Sequence, residues 1–154
     1  MTVKWRIVAN PFAVTGLSLV RVATAEEPLN PIARRAEREL RDYLGGRLRS
    51  FSVDYDITSL SRFTQTVLRE TAKIPYGQTR SYRWLAARLG KPKAARAVGN
   101  ALARNPVPII IPCHRVLRSD GSIGPFVFGT EWKKRLLELE KCFVKTKASS
   151  RNPR

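Results

Sequence analysis

The chain is poor in the residues that bind metals and carry redox chemistry: its 154 residues include one histidine, two cysteines and one methionine. One imidazole and two thiols cannot complete a four-ligand zinc site without carboxylates, so no metal is expected. A glycine-rich phosphate loop and a dinucleotide fingerprint are both missing, and the chemistry is expected to run without a cofactor. Acidic side chains are scarce as well, 12 Asp and Glu against 29 Lys and Arg, for a formal net charge of +17. Such a surplus repels itself unless an anion answers it, and nucleic acid is the usual partner. No stretch reaches the roughly 18 apolar residues that a membrane span needs. The opening Met-Thr-Val-Lys-Trp-Arg-Ile lacks the apolar core of a secretion signal. These absences lead to the expectation of a soluble, cytoplasmic protein with no membrane partner.

What is present suggests an α+β chain, a small N-terminal sheet-plus-helix unit followed by a mainly helical C-terminal domain. Residues 3–24 alternate apolar and polar positions as two short strands, with breaks expected at Asn10-Pro11 and near Gly16. Asn30-Pro31 reads as an N-cap followed by proline at the first helical position. Ile32, Ala36, Leu40 and Leu44 then form one apolar stripe, and Gly45-Gly46 stops the helix. The domain boundaries expected are 1–57, 58–143 and a basic, disordered tail over 144–154.

In the second part, a helix with Phe63, Val67, Leu68 and Ala72 inward runs to Lys73, and the turn Ile74-Pro-Tyr-Gly follows. Helices over 81–89 and 93–104, joined by Gly90-Lys-Pro, give the outline of a helix-turn-helix. Ala94, Ala97, Val98 and Ala101 make the apolar face of the second helix. At 3.6 residues per turn, Ala95, Arg96, Gly99, Asn100 and Ala103 fall opposite, a face bare of bulk from which Arg96 projects. Close helix-helix packing or close approach to a nucleic acid groove would each use such a face, and the charge of the molecule favours the groove.

The last helix, over 131–142, points Trp132, Leu136 and Leu139 inward, and Glu140 falls in the same sector. A buried carboxylate needs a partner, and His114 is the candidate. Cys113, His114 and Arg115 are consecutive, and the imidazole and guanidinium beside the thiol suggest a cationic setting that favours thiolate. Nucleophile, base and orienting acid are thereby available. On an extended segment, adjacent Cys and His point to opposite faces, so their contact needs a turn or a bridging water. Taken alone, the trio also admits a structural cysteine, a core histidine and a capping carboxylate.

The string Asn105-Pro-Val-Pro-Ile-Ile-Ile-Pro-Cys-His-Arg-Val116 closely resembles the active-site segment of the O6-alkylguanine-DNA alkyltransferases. The likeness runs back through Ile74-Pro-Tyr-Gly, Ser81-Tyr82 and Ala95-Arg-Ala-Val-Gly, and forward to Leu136-Leu-Glu-Leu-Glu140. The resemblance implies single-turnover repair, by a monomer, of double-stranded DNA containing O6-alkylguanine, with the damaged base rotated out of the stack. Cys113 would take the alkyl group as a thioether, His114 would deprotonate it through a water, and Glu140 would orient the imidazole. Tyr82 would press on the target phosphate and protonate the leaving purine. Arg96 would fill the gap in the stack, among Ala95, Gly99 and Asn100, with Leu102 near the extruded base. The turn and pocket would use Asn105 as a brace, Pro108, Arg115 as a structural anchor, and Val116, whose main chain reads the guanine edge.

The chain departs from that family at Gly124-Pro-Phe-Val-Phe-Gly129, where the family commonly has a Gly-(Gly or Asn)-Tyr-(Ser or Ala)-Gly-Gly loop. Phe126 lacks a hydroxyl, Val127 replaces a small residue and Phe128 replaces glycine, so a pocket narrowed by Phe128 is expected to favour methyl over benzyl. Two rivals remain at this stage: a protein that recognises the lesion without repairing it, and a helix-turn-helix regulator. Cys113 speaks against the first, and the want of a dimerisation helix against the second. Both thiols, Cys113 and Cys142, are expected to be free.

Overall fold

The computed structural model describes residues 2–22 and 29–141. The expectations for Cys142, for the tail over 144–154 and for the strand end at 23–24 lie outside them. Strands β1 (Thr2–Ala9) and β2 (Val14–Val22) pair antiparallel. The break expected near Gly16 does not occur. Gly16 lies within β2 opposite Val8, where even a Cβ would make only ordinary contacts, so the alternating neighbours carry the strand through it. The turn is confined to 10–13, where the Asn10 side chain accepts from the backbone N–H of Phe12 and Ala13, each at 2.8 Å.

Helix α1 (Pro31–Leu44) begins as its sequence dictates. Asn30 Oδ1 accepts from Ala33 N at 2.8 Å, and its amide donates to Ala9 O at 3.0 Å, which ties the helix start to the end of β1. The buried stripe is Ala33, Ala36, Leu40 and Tyr43; Ile32 and Leu44 are only half-buried. A strict spacing of four drifts round the helix by about 40° per step, whereas alternating threes and fours hold one face. Gly46, at φ +78°, supplies the left-handed residue that ends the helix.

Helices α2 (Arg62–Thr71), α3 (Tyr82–Arg88) and α4 (Ala95–Ala103) pack on one another. In α2, Thr64 and Thr71 join Val67 and Leu68 inside, while Phe63 and Ala72 stay half-buried. Ser81 caps α3 by accepting from Trp84 N at 2.8 Å. In α4 the buried residues are Val98, Ala101 and Leu102, and Ala97 is exposed. Leu102 offers more apolar area to the neighbouring helices than Ala97, and the helix turns to bury it.

A parallel ladder of β3 (Arg80–Ser81) and β4 (Val116–Leu117), invisible in the sequence, straps the segment after Cys113 to the start of α3. Helix α5 (Thr130–Leu139) is the last element among the described residues, with Lys133, Leu136 and Leu137 buried. One core cluster runs from Ile7, Leu17 and Tyr43 through Val67 and Val98 to Cys113 and Leu136, so sheet, α1 and later helices share an interior. Among the described residues, no helix is long and apolar enough to cross a membrane.

Candidate active site

The site is built on an irregular turn. Asn105 is buried; its amide donates to Ile111 O at 3.0 Å while its Oδ1 accepts from Val107 N at 3.0 Å. These bonds close the loop around Pro108 and Ile109, where Ile109 takes φ +75°. That region is rarely adopted by a β-branched residue and persists only where neighbours over-determine it. The β2 strand adds a hold, Leu17 N donating to Pro106 O at 2.8 Å.

A single 3-10 turn, Cys113–Arg115, follows and solves the adjacency problem by rotating consecutive side chains into one interior. His114 is fully buried, with Nε2 2.8 Å from Glu140 Oε2. Arg115 grips the same carboxylate with Nε on Oε1 at 2.8 Å and Nη2 on Oε2 at 2.9 Å, and donates Nη1 to Ile74 O at 2.6 Å. Gly77 N adds a bond to Oε1 at 3.2 Å. A side chain there would start at φ +81° and 3.4 Å from Glu140 O, which explains the glycine of the Ile74-Pro-Tyr-Gly turn. The Tyr43 hydroxyl donates to Oε2 from α1.

Burial pushes the Glu140 carboxyl up, but the bonds from His114 and Arg115 outweigh it and hold it down at about 2. Glu140 is therefore an anion and accepts only. His114 Nε2 must carry the proton of their bond, which leaves Nδ1 as the basic nitrogen. Nδ1 is buried and meets no hydrogen-bond partner among the described residues. Burial drives the imidazole below its ordinary value, against the pull of Glu140, so His114 rests neutral at pH 7.

The Cys113 thiol is buried and free, and burial raises it to about 11 against the help of the Asn105 hydrogen bond and the Lys133 charge. The cationic setting expected from Pro-Cys-His-Arg is thus corrected. The imidazole beside it is neutral, the guanidinium is spent on Glu140, and desolvation decides. Cys113 rests as a thiol beside a neutral base.

The cation that does reach the thiol's surroundings is Lys133. It is fully buried and donates to Val116 O at 2.7 Å and Pro125 O at 3.2 Å, with its ammonium 5.7 Å from the Tyr82 ring centre. Burial lowers it to about 8, opposed by the charge of Cys113. Tyr82 lines the same wall and is raised by burial and by Cys113. Gly124, at φ +71°, leaves the space that a Cβ would take 3.2 Å from the Tyr82 hydroxyl and 3.6 Å from Lys133 Nζ.

Away from these buried groups, Arg96 and Asn100 are exposed on α4, Ala95 and Gly99 are half-buried, and Gly99 faces the Tyr82 ring. Leu102 lies apart from that face, inside the core, as do Pro108 and Val116. Phe126 stands edge-on to His114 with centroids 6.3 Å apart and to Phe128 at 5.5 Å. Phe128 leans on Trp5 of β1 at 5.4 Å, and Val127 is exposed. Among the described residues, no cluster of three His, Cys, Asp or Glu could hold a metal ion.

Residues 62–142 match the family described as 6-O-methylguanine DNA methyltransferase, DNA binding domain. The chain is also 44% identical over 108 residues to the methylated-DNA–protein-cysteine methyltransferase of Methanosarcina barkeri, covering 70% of this chain and 68% of that protein. The chain belongs to this family. A second 6-O-methylguanine DNA methyltransferase relative, the methylated-DNA–protein-cysteine methyltransferase of Mycobacterium leprae, is 43% identical over 119 residues, or 77% of this chain and 72% of the other. The crystal structure of Mycobacterium tuberculosis OGT in complex with DNA superposes with a TM-score of 0.79 at 36% identity, covering 89% of this chain and 86% of that one.

Two residues of this methyltransferase site escaped the sequence reading. Lys133 stands in the basic run Lys133-Lys134-Arg135 and looks like surface charge, yet 133, 136, 137 and 140 share one helical face. That phase was the available signal. For Tyr43 the signal was weaker: a tyrosine three residues after Leu40 on the buried stripe of α1.

Proposed function

We propose that this chain repairs DNA by moving an alkyl group, methyl above all, from O6 of guanine irreversibly onto Cys113. The observation that carries the reading is the buried Cys113 set in one turn with His114 and its carboxylate Glu140, inside a chain of this family. The thiol gives its proton through a bridging water to His114 Nδ1, and Glu140 steadies the imidazolium. The sulfur lone pair attacks the alkyl carbon, the carbon–oxygen bond breaks, and its electrons leave with the purine. Tyr82 returns a proton to that purine. The product is a thioether, which no group in the pocket can reverse, so each molecule acts once and needs no cofactor.

The target base must leave the duplex to reach a buried sulfur. Helices α3 and α4 act as the helix-turn-helix of the domain over 58–143, and the unit over 1–57 backs it. Arg96 takes the place of the lost base, with Ala95, Gly99 and Asn100 allowing close approach and Leu102 backing the pocket wall. The partner is double-stranded DNA carrying the lesion, met by a cytoplasmic monomer with a net charge of +17. The rings of Phe126 and Phe128 wall the His114 side of the pocket and limit the alkyl group. O6-methylguanine should therefore react faster than O6-benzylguanine in single-turnover assays, and equal rates would contradict this limit.

Intact mass after incubation with a duplex holding one O6-methylguanine tests the whole reading. The expected result is a gain of one methyl, mapped to the peptide with Cys113, stopping at one per molecule and missing in Cys113→Ala. An unchanged mass with tight binding to the lesion would move the chain to recognition without transfer.

A further inference from the structure

Helix α1 places the hydroxyl of Tyr43 on the His114–Glu140 pair. The ring is fully buried on α1 and packs against Phe51 at 5.5 Å and Tyr76 at 6.2 Å, which accounts for an aromatic residue there. Packing does not account for the hydroxyl. Oη donates to Glu140 Oε2 and lies 3.3 Å from His114 Nε2, placed as a second acceptor for the same N–H. A buried hydroxyl costs free energy unless it is bonded, and this one is spent on the carboxylate of the transfer site.

We propose that Tyr43 is a positioning residue for alkyl transfer: its hydroxyl locks the His114 ring with Nε2–H toward Glu140 and Nδ1 free to accept the Cys113 proton, and it shares the carboxylate charge so that the imidazole stays neutral until that proton arrives. The proposal rests on the alkyl-transfer reading above. Oε2 receives three donors, His114 Nε2, Arg115 Nη2 and Tyr43 Oη, so charge drawn by one is withheld from the others. The charged and titratable groups around the imidazole are Glu140 at the end of α5, Lys133 within α5, Arg115 and Cys113 on its own turn, and Tyr43 on α1, with Tyr76 beside Tyr43. Glu140 favours the imidazolium, and Arg115 and Lys133 oppose it; the Tyr43 hydroxyl bonds to the Glu140 carboxylate and lowers its pKa, which on this proposal weakens its hold on the imidazolium. The N-terminal helix thereby becomes part of the chemistry rather than a scaffold.

The test uses the fact that His114 is the only histidine, so its two ring nitrogens give the only imidazole 15N signals of the full chain. In the unaltered protein at neutral pH, Nε2 should be protonated and Nδ1 not; a dominant Nδ1–H tautomer would overturn the proposal without any variant. In Tyr43→Phe the imidazole should titrate higher by about one pH unit, as one lost charge-assisted bond allows. The acid limb of the transfer rate should move up by the same amount, with the alkaline rate little changed. Phe51→Leu disturbs the same packing but keeps the hydroxyl; it should lower the melting temperature and leave both titrations in place. Equal shifts in the two variants, or none in Tyr43→Phe, would refute the role of the hydroxyl. The 15N titration needs no DNA, so a chain that fails to accept methyl would sink the transfer reading and leave this measurement intact.

Discussion

Glu140→Gln is expected to lower the unfolding free energy by about 3–5 kcal/mol, the usual cost of removing one partner of a buried ion pair. The carboxylate is the anion that answers the buried Arg115 fork, and donors from His114, Gly77 and Tyr43 converge on the same two oxygens. Glutamine keeps the shape but turns an NH2 toward groups that all donate. Arg115 then holds an unpaired charge, and the His114 ring can satisfy that NH2 only by making Nε2 an acceptor. The proton moves to Nδ1, where the base was. Transfer at neutral pH should fall by about 10²–10⁴-fold, the range general-base catalysis commonly supplies. Urea unfolding and single-turnover methyl transfer read the two effects separately. The sign with pH is set by the depressed carboxyl. Its stabilisation is complete above the usual carboxylate range and is lost as pH falls toward about 2, so the gap between wild type and variant should close in acid. A gap that persists in acid would show that shape, not charge, was lost.

Lys133→Met is expected to slow transfer by roughly tenfold or more at neutral pH, one unit of thiol acidity being worth a factor of ten in thiolate. The thiol already stands at about 11 with the ammonium in place, and Lys133 is one of the influences that lower it. Stability should change by less than about 2 kcal/mol. The variant frees the carbonyls of Val116 and Pro125 from their donor, but it also removes the cost of burying a charge. The alkaline side of the rate profile separates a charge effect from packing. Lys133 loses its proton as pH rises through about 8, so wild-type transfer should lose that support there, and the methionine variant should not show this loss. A variant with the wild-type rate would make Lys133 a purely structural residue.

Much of the molecule follows from local rules. Asn30-Pro31 starts α1 because a side-chain acceptor and a residue with no N–H suit that position wherever they occur. Pro-Cys-His-Arg draws its meaning from the resemblance of the string around it to a known active-site segment, and Glu140, the residue that ends α5, falls inward because helical geometry repeats every 3.6 residues. The expected break at Gly16 failed for the opposite reason, since a strand paired along its length carries a glycine through. The short β3–β4 ladder joins residues 80–81 to 116–117, and no local pattern of two residues reports such a pairing.

The sequence alone determined the residue types of the site, the start and stop of α1, and the charge that selects a polyanionic partner. Those depend on neighbours within a turn or on sums over the chain. Only the tertiary structure decided that Cys113 rests protonated, that His114 is a neutral base open at Nδ1, and that Lys133 and Tyr43 belong to the site. Each of these depends on which groups lose their water together. Desolvation and the pairing of buried charges arise between side chains as distant in sequence as Tyr43 and Glu140, and they exist only once the core has closed around them.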